Sequence, residues 1–168
     1  WSSLFQTLLD CDGLQATTEA LRALALQRLG DIPTDLARDE LLDLLMSLCI
    51  EPAIADWGVV FITDYPGSQA ALARKFERDG IELGARFECY VDGVELANGY
   101  WECADVDQLR QRFTADNALR EQRGQLPRPI DERLLTALGA RGLPDCSGVA
   151  LGVDRLLALK LGASHLEQ

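Results

Sequence analysis

Two glutamates, Glu88 and Glu95, fall within the stretch RFECYVDGVELANGYWE that runs from Arg86 to Glu102. The runs Arg86 to Val91 and Val94 to Asn98 are rich in β-branched and aromatic residues, and Asp92-Gly93 between them is a two-residue turn signal, so the stretch predicts a hairpin. With that turn, Val91 faces Val94, Tyr90 faces Glu95 and Glu88 faces Ala97. Glu88 and Glu95 then share one face as diagonal neighbours, their β-carbons roughly 7–8 Å apart or somewhat less. Two carboxylates at that separation can share one or two magnesium ions, and protein-bound magnesium usually carries phosphates. The chemistry indicated is a nucleotide site. Solvated acids on an amphipathic hairpin are the competing reading.

Glu95 and Glu102 are separated by an odd number of residues, so a regular strand sends them to opposite faces. Ala97-Asn98-Gly99 lies between them, and a glycine inside a strand pattern often marks a bulge. A bulge there is expected to bring Asn98, Tyr100 and Glu102 to the face that carries Glu88 and Glu95.

A second segment, GVALGVDRLLAL from Gly148 to Leu159, reads as a short buried strand, Val149-Ala150-Leu151, closed by Gly152. A helix is expected from about Asp154, with Leu156, Leu157 and Leu159 on its apolar face. Gly148 and Gly152 permit close approach of a ligand to the backbone. Arg155 is placed to reach anionic oxygens or to stack on a flat ring. Many strand-to-helix junctions carry glycines and an arginine, so this segment alone is a weak motif.

In combination the two segments resemble the catalytic core of class II aminoacyl-tRNA synthetases of the lysyl branch. GVALGVDRL is similar to the third class II motif, RFECYVDGVELANGYWE to the strand pair that precedes it, and FITDYP (Phe61 to Pro66) to the strand and turn upstream. Within that branch, SQAALAR, VELANGYWE and LPDCSGVALGVDRL resemble the elongation factor P–(R)-β-lysine ligase family, relatives of lysyl-tRNA synthetase without an anticodon-binding domain. The resemblance runs over nearly the whole chain. It implies an α+β fold with an antiparallel β-sheet flanked by helices, and an ATP-dependent ligase. Such an enzyme activates a lysine-like amino acid, (R)-β-lysine, as an adenylate and passes it to a lysine side chain of elongation factor P.

Residue by residue, the resemblance implies that Glu88 and Glu95 bind Mg2+ and ATP, with the Leu96 backbone beside the nucleotide. Asn98, Tyr100 and Glu102 line the amino-acid pocket, Glu102 receiving a substrate ammonium. Gly152 and Arg155 contact ATP, Arg155 near the terminal phosphate or the adenine, and Arg155 is the catalytic residue. Ala150 stands where lysyl-tRNA synthetases usually have glycine. One methyl in a pocket wall is worth about 1–3 kcal/mol of discrimination, so Ala150 is expected to select the shape of the amino acid; a small core residue in a strand is the alternative. Tyr100 replaces the family's usual phenylalanine and adds a hydroxyl that needs a partner. Gly67 stands where alanine is common. No counterpart of the first two class II motifs is present, including the arginine that grips the α-phosphate, and the family continues past Ala163-Ser164-His165. The chain, 1–168, therefore reads as one partial catalytic domain.

With 168 residues and 48% hydrophobic composition, the chain fits one domain with a sizeable core. No apolar run approaches the ~20 residues of a membrane span and no secretory signal is visible. Cys11, Cys49, Cys89, Cys103 and Cys146 form neither a CxxC pair nor an even-numbered framework, and read as packed, reduced thiols of a cytoplasmic protein. A single histidine, His165, argues against a histidine-based zinc site or a Ser-His-Asp triad. Adenylate chemistry needs neither, because positioning and charge neutralisation carry it. The net charge of −11 argues against tRNA as partner, since tRNA binding needs a basic stripe. A protein substrate presenting a lysine fits better, although acidity can simply serve solubility. The resemblance also implies a homodimer, formed through a first motif outside this chain.

The rest reads as scaffold. Helices are expected over Ser3–Leu9, Thr18–Leu29 (capped by Thr17 or Thr18), Asp39–Ile50 (ending before Glu51-Pro52), Asp105–Arg123 (burying Leu109, Phe113 and Leu119) and Asp131–Leu138. A strand is expected at Val59–Thr63. Two further functional readings stand beside the ligase. A lysyl-tRNA synthetase-type enzyme predicts glycine at Ala150. A non-catalytic binding module predicts loss of Glu88, Glu95, Glu102 and Arg155, which nothing structural requires.

Overall fold

The computed structural model describes residues 1–163; His165 and the segment around it lie outside the described residues. Four helices come first: α1 (Ser2–Leu9), α2 (Thr18–Leu29), α3 (Arg38–Leu45) and the single turn α4 (Glu51–Ala53). Thr17 is the cap of α2, its hydroxyl accepting from Ala20 N at 3.2 Å, and Gly30 ends that helix with φ +83°. Glu40 reaches back to Ala37 N at 2.8 Å and starts α3. The helix expected to stop before Glu51-Pro52 instead runs on, because Met46–Ile50 widens into a π turn in which Glu51 N bonds Met46 O. That widening lets the chain pass Pro52, which has no N–H to give to a regular turn.

A five-stranded antiparallel sheet follows: β1 (Val59–Pro66), β2 (Lys75–Arg78), β3 (Ile81–Val91), β4 (Val94–Trp101) and β5 (Ser147–Leu151). The order is β1-β3-β4-β5, with β2 also paired to β3. Helices α5 (Val106–Gln122) and α6 (Glu132–Arg141) lie between β4 and β5, and α7 (Val153–Leu161) follows β5. The antiparallel sheet with flanking helices is the architecture expected from the sequence.

The main core packs α1–α4 against the β1–β3 side of the sheet, with Phe5, Leu21, Leu41, Leu45, Ile50, Ile54 and Ile62 fully buried. A smaller cluster, Cys103, Leu109 and Leu135, holds α5 to α6. Leu119, expected in the buried stripe of α5, is 49% exposed; Leu109, with the partly buried Val106 and Phe113, packs there instead. The larger correction concerns β5 and α7. Val149 and Leu151 are 61% and 47% exposed, and Leu156 and Leu157 are exposed as well, because no described element covers the back of the sheet. The expected buried strand is therefore apolar but uncovered.

The β3–β4 hairpin turns on Asp92 and Gly93, both at positive φ (50° and 77°), the type I′ geometry that Asp-Gly favours. Val91 faces Val94 and Tyr90 faces Glu95, as expected, but Glu88 faces Asn98 rather than Ala97. The bulge lies at Leu96, between Glu95 and Ala97, not within Ala97-Asn98-Gly99. Gly99 has a different reason: the Phe87 ring lies across it, where a β-carbon would collide with Cε1. The bulge nonetheless has the expected consequence, since two residues opposing one reverse the side-chain parity of everything that follows.

Candidate active site

Alternation on three strands builds one polar strip. Tyr90 and Glu95 form its first rung, Glu88, Asn98 and Ala150 the second, Arg86, Tyr100 and Gly148 the third. Glu102 lies beyond, bridged to Ala73. At 3.4 Å per residue, with one residue taken up by the bulge, the strip runs roughly 20 Å from Glu95 to Glu102.

Glu88 is buried, 7% exposed, and its carboxylate is surrounded by donors. Tyr65 Oη lies 2.5 Å and Tyr90 Oη 2.8 Å from Oε2, while Oε1 accepts from Asn98 Nδ2 at 2.9 Å and pairs with the Arg86 guanidinium. A carboxylate offers about four lone-pair directions, and all are engaged. The Tyr90 hydroxyl is also 3.2 Å from Glu51 Oε1, so its single proton is shared between two carboxylates. Burial, then the neighbouring Glu88 charge, push both phenols far above their ordinary ionisation range, so both remain donors. Arg86 lies 4.5 Å over the Tyr65 ring and donates to Gln69 O at 2.9 Å. A cavity of ≈ 180 Å³ opens beside this cluster, walled in part by Asp43, Glu51, Glu88 and Glu95.

Tyr65 reaches the strip through a second irregularity. Ile62 pairs with Glu88, but the register slips between Thr63 and Tyr65, with Asp64 at φ 59°. Without that left-handed residue, which aspartate tolerates better than most, Tyr65 would face the back of the sheet.

Glu95 is held differently. Arg155 Nη1 donates to Glu95 O at 2.5 Å and to its Oε2 at 3.2 Å, and the pair is half exposed. Gly152 N bonds Leu96 O at 2.9 Å, which ties the start of α7 to the bulge. Thus Glu95, Leu96, Gly152 and Arg155 converge at the turn end of the strip. Ala150 is exposed on the strip rather than packed in a core. Asn98 Oδ1 is buried without a hydrogen-bond partner. No ion pair among the described residues includes Glu102.

The sequence reading missed Tyr65, Arg86 and Tyr90. Arg86 and Tyr90 sit two residues either side of Glu88, so strand parity alone puts them on its face. Among the described residues, no three His, Cys, Asp or Glu side chains group as a metal cage. Magnesium that borrows phosphate oxygens and keeps its waters needs only one or two carboxylates; Glu95 can offer one, whereas Glu88, the other expected ligand, already has its lone pairs engaged by protein donors. A larger groove of ≈ 560 Å³ between α5 and α6 holds none of these groups.

The family pattern of tRNA synthetases class II (D, K and N) matches residues 18–168. This chain belongs to that family. It is 46% identical over 170 residues to proteins named elongation factor P–(R)-β-lysine ligase from Salmonella gallinarum, Salmonella paratyphi B and Salmonella heidelberg. Each alignment takes in 99% of this chain and 51% of the relative, so the chain spans about half the length of the curated relatives it matches. The strip thus occupies, in this family member, the strand pair and strand–helix junction that carry the resemblance. Among the described residues no helix is long and apolar enough to cross a membrane.

Proposed function

We propose that this chain supplies the nucleotide- and amino-acid-binding half of an ATP-dependent ligase. The ligase activates (R)-β-lysine as an adenylate and transfers it to a lysine side chain of elongation factor P. The observation that carries this reading is the opposed equipment of the two ends of the strip. One end has a carboxylate and an arginine that neutralise each other; the other has a carboxylate in no ion pair among the described residues, with the orphaned Asn98 Oδ1 on the rung between the two ends. An exposed ion pair is worth about 0–1 kcal/mol. Glu95 and Arg155 therefore separate at little cost, the one toward Mg2+ and the other toward the phosphates of ATP.

Bound magnesium supplies charge neutralisation of the polyphosphate. The protein's own groups do the rest. Glu88 is fixed by four donors with its charge offset by Arg86, so it holds the rung rigid, while Glu51 and Glu95 supply the acidic wall on the magnesium side. Gly152 and Leu96 let the nucleotide lie against backbone. Asn98 Oδ1 and Glu102 offer acceptors to ammonium groups, and Tyr100 and Ala150 shape the space between. The carboxylate of the amino acid attacks the α-phosphorus, pyrophosphate leaves, and the acceptor lysine amine then attacks the acyl carbon with AMP as leaving group. Holding the two reactants in line supplies much of the acceleration.

Ala150 supports the β-amino acid over the α-isomer, because its methyl protrudes into the strip beside Asn98. Five free thiols fit a reducing, cytoplasmic setting. The acidic balance fits a protein acceptor rather than tRNA. The decisive experiment is amino-acid-dependent ATP–pyrophosphate exchange by the native gene product with (R)-β-lysine and with α-lysine. Exchange favouring the β-isomer is expected. Preference for α-lysine would turn the reading to the tRNA enzyme, and exchange with neither would turn it to a binding module.

A further inference from the structure

Gly148 occupies the third rung, across from Tyr100, and faces the strip. A β-carbon built on it would fall inside van der Waals contact of Glu102 Oε1 and 3.6 Å from Glu102 Cδ, with no third atom within 4 Å. The space left by the missing side chain is thus filled by one carboxylate and by nothing else. Gly148 is not among the residues at positive φ, so alanine fits its backbone without strain. Glycine is not required here by the chain's own path.

Glu102 is anchored at its backbone: its N–H bonds Cys146 O at 3.0 Å, and it bridges Ala73. Its carboxylate enters no ion pair among the described residues. What places the charged end of a flexible side chain is therefore the hollow over Gly148. An apolar cavity of ≈ 330 Å³ begins beside it, walled by Leu72, Cys103, Phe113 and Cys146. Ser147 also lines it, but at the strand position paired with Trp101, one residue off the face that Gly148 shares with Tyr100.

We infer that Gly148 is a positioning residue for amino-acid recognition: its absent side chain seats the Glu102 carboxylate and so fixes how far along the strip a substrate's distal ammonium reaches. This rests on the reading of Glu102 as the ammonium acceptor. A methyl at position 148 displaces Oε1 while the backbone stays, because the crowded atom is the end of a movable side chain. A positioning error near 1 Å costs on the order of 100-fold, so Gly148→Ala is expected to raise KM for the amino acid roughly 10- to 100-fold. KM for ATP and Tm are expected to stay within about twofold and about 2 °C, respectively, as for substitutions away from the core.

The test measures exchange kinetics of Gly148→Ala, Glu102→Gln and Gly148→Ala/Glu102→Asp in the native gene product, with (R)-β-lysine as the varied substrate. Aspartate is one methylene shorter and clears the new methyl, so the double variant is expected to recover part of the affinity lost in Gly148→Ala. An unchanged amino-acid KM in Gly148→Ala, with Glu102→Gln impaired, overturns the seat while leaving the ammonium reading intact. An unimpaired Glu102→Gln overturns that reading and the inference with it. If Gly148→Ala lowers Tm, the comparison with the double variant decides: equal KM in the two overturns the proposal.

Discussion

Glu88 and Glu102 share a sheet face and a side-chain type, yet the protein treats them oppositely. Glu88 is buried and receives hydrogen bonds or an ion pair from Tyr65, Tyr90, Asn98 and Arg86. Glu102 is half-buried and has no ion-pair partner among the described residues. A carboxylate satisfied from within is fixed in charge and place before any ligand arrives. One that is half-buried and outside any ion pair keeps its acceptor positions open to water or to a cationic ligand. On the proposed reading, the difference separates a group that prepares the site from a group that reads the substrate.

Breaking the satisfied end is expected to have the largest effect on stability. Glu88→Ala leaves Arg86, which is 18% exposed at its side chain, without its carboxylate. Removing one member of a buried pair costs about 3–5 kcal/mol, so the urea midpoint of this variant is expected to fall accordingly. A loss below about 1 kcal/mol would make the cluster equivalent to a surface ion pair and dissolve the contrast.

The parts of this cluster were unequally legible in the sequence. Asp92-Gly93 announced its turn because few dipeptides accept positive φ twice, and the type I′ hairpin followed. The parity conflict between Glu95 and Glu102 demanded a bulge, but the glycine that seemed to locate it answers to the Phe87 ring instead. Leu96, the actual bulge, carries no local signal. Tyr65 was invisible because its face depends on the slip at Asp64, a single backbone angle that composition does not fix. The exposure of β5 was hidden for another reason: Val149 and Leu151 are apolar enough for a core, and an apolar pattern cannot say whether anything lies against it.

Tyr65→Phe sharpens the contrast, since it removes one hydroxyl and keeps the ring under Arg86. Hydrogen bonds to a charged group contribute about 1.5–3 kcal/mol, and a loss in that range is expected by urea denaturation. No loss would show that the remaining three donors suffice. At the turn end, Arg155→Ala is expected to change stability by less than about 1 kcal/mol, because the Glu95 pair is half exposed. Its effect should appear instead as a raised KM for ATP in exchange, with the amino-acid KM unaltered; an unaltered KM for ATP removes Arg155 from the nucleotide site.

The smallest expected effect is at Asp43, on the wall of the cavity beside Glu88. Burial, reinforced by Asp39, raises the ionisation of its carboxyl above the ordinary aspartate value. A raised folded-state pKa means that the carboxyl's stabilising contribution is complete below the unfolded value, about pH 3.9, and is lost as pH rises through the folded value. Asp43→Asn, which cannot ionise, is therefore expected to have a slightly higher Tm than wild type at neutral pH, the gain disappearing in acid. A gain of equal size at both pH values would trace it to packing rather than to charge.

The central claim is that the unsatisfied carboxylate reads the substrate. It is tested most directly by ATP–pyrophosphate exchange driven by (R)-β-lysine, comparing wild-type gene product with Glu102→Gln, with the urea midpoints measured alongside. Exchange at subsaturating amino acid is expected to fall by roughly 100-fold or more, as when a buried site loses its polar complement, while the midpoint stays the same or rises. Unchanged exchange, or a fall matched by a lost midpoint, would contradict the claim.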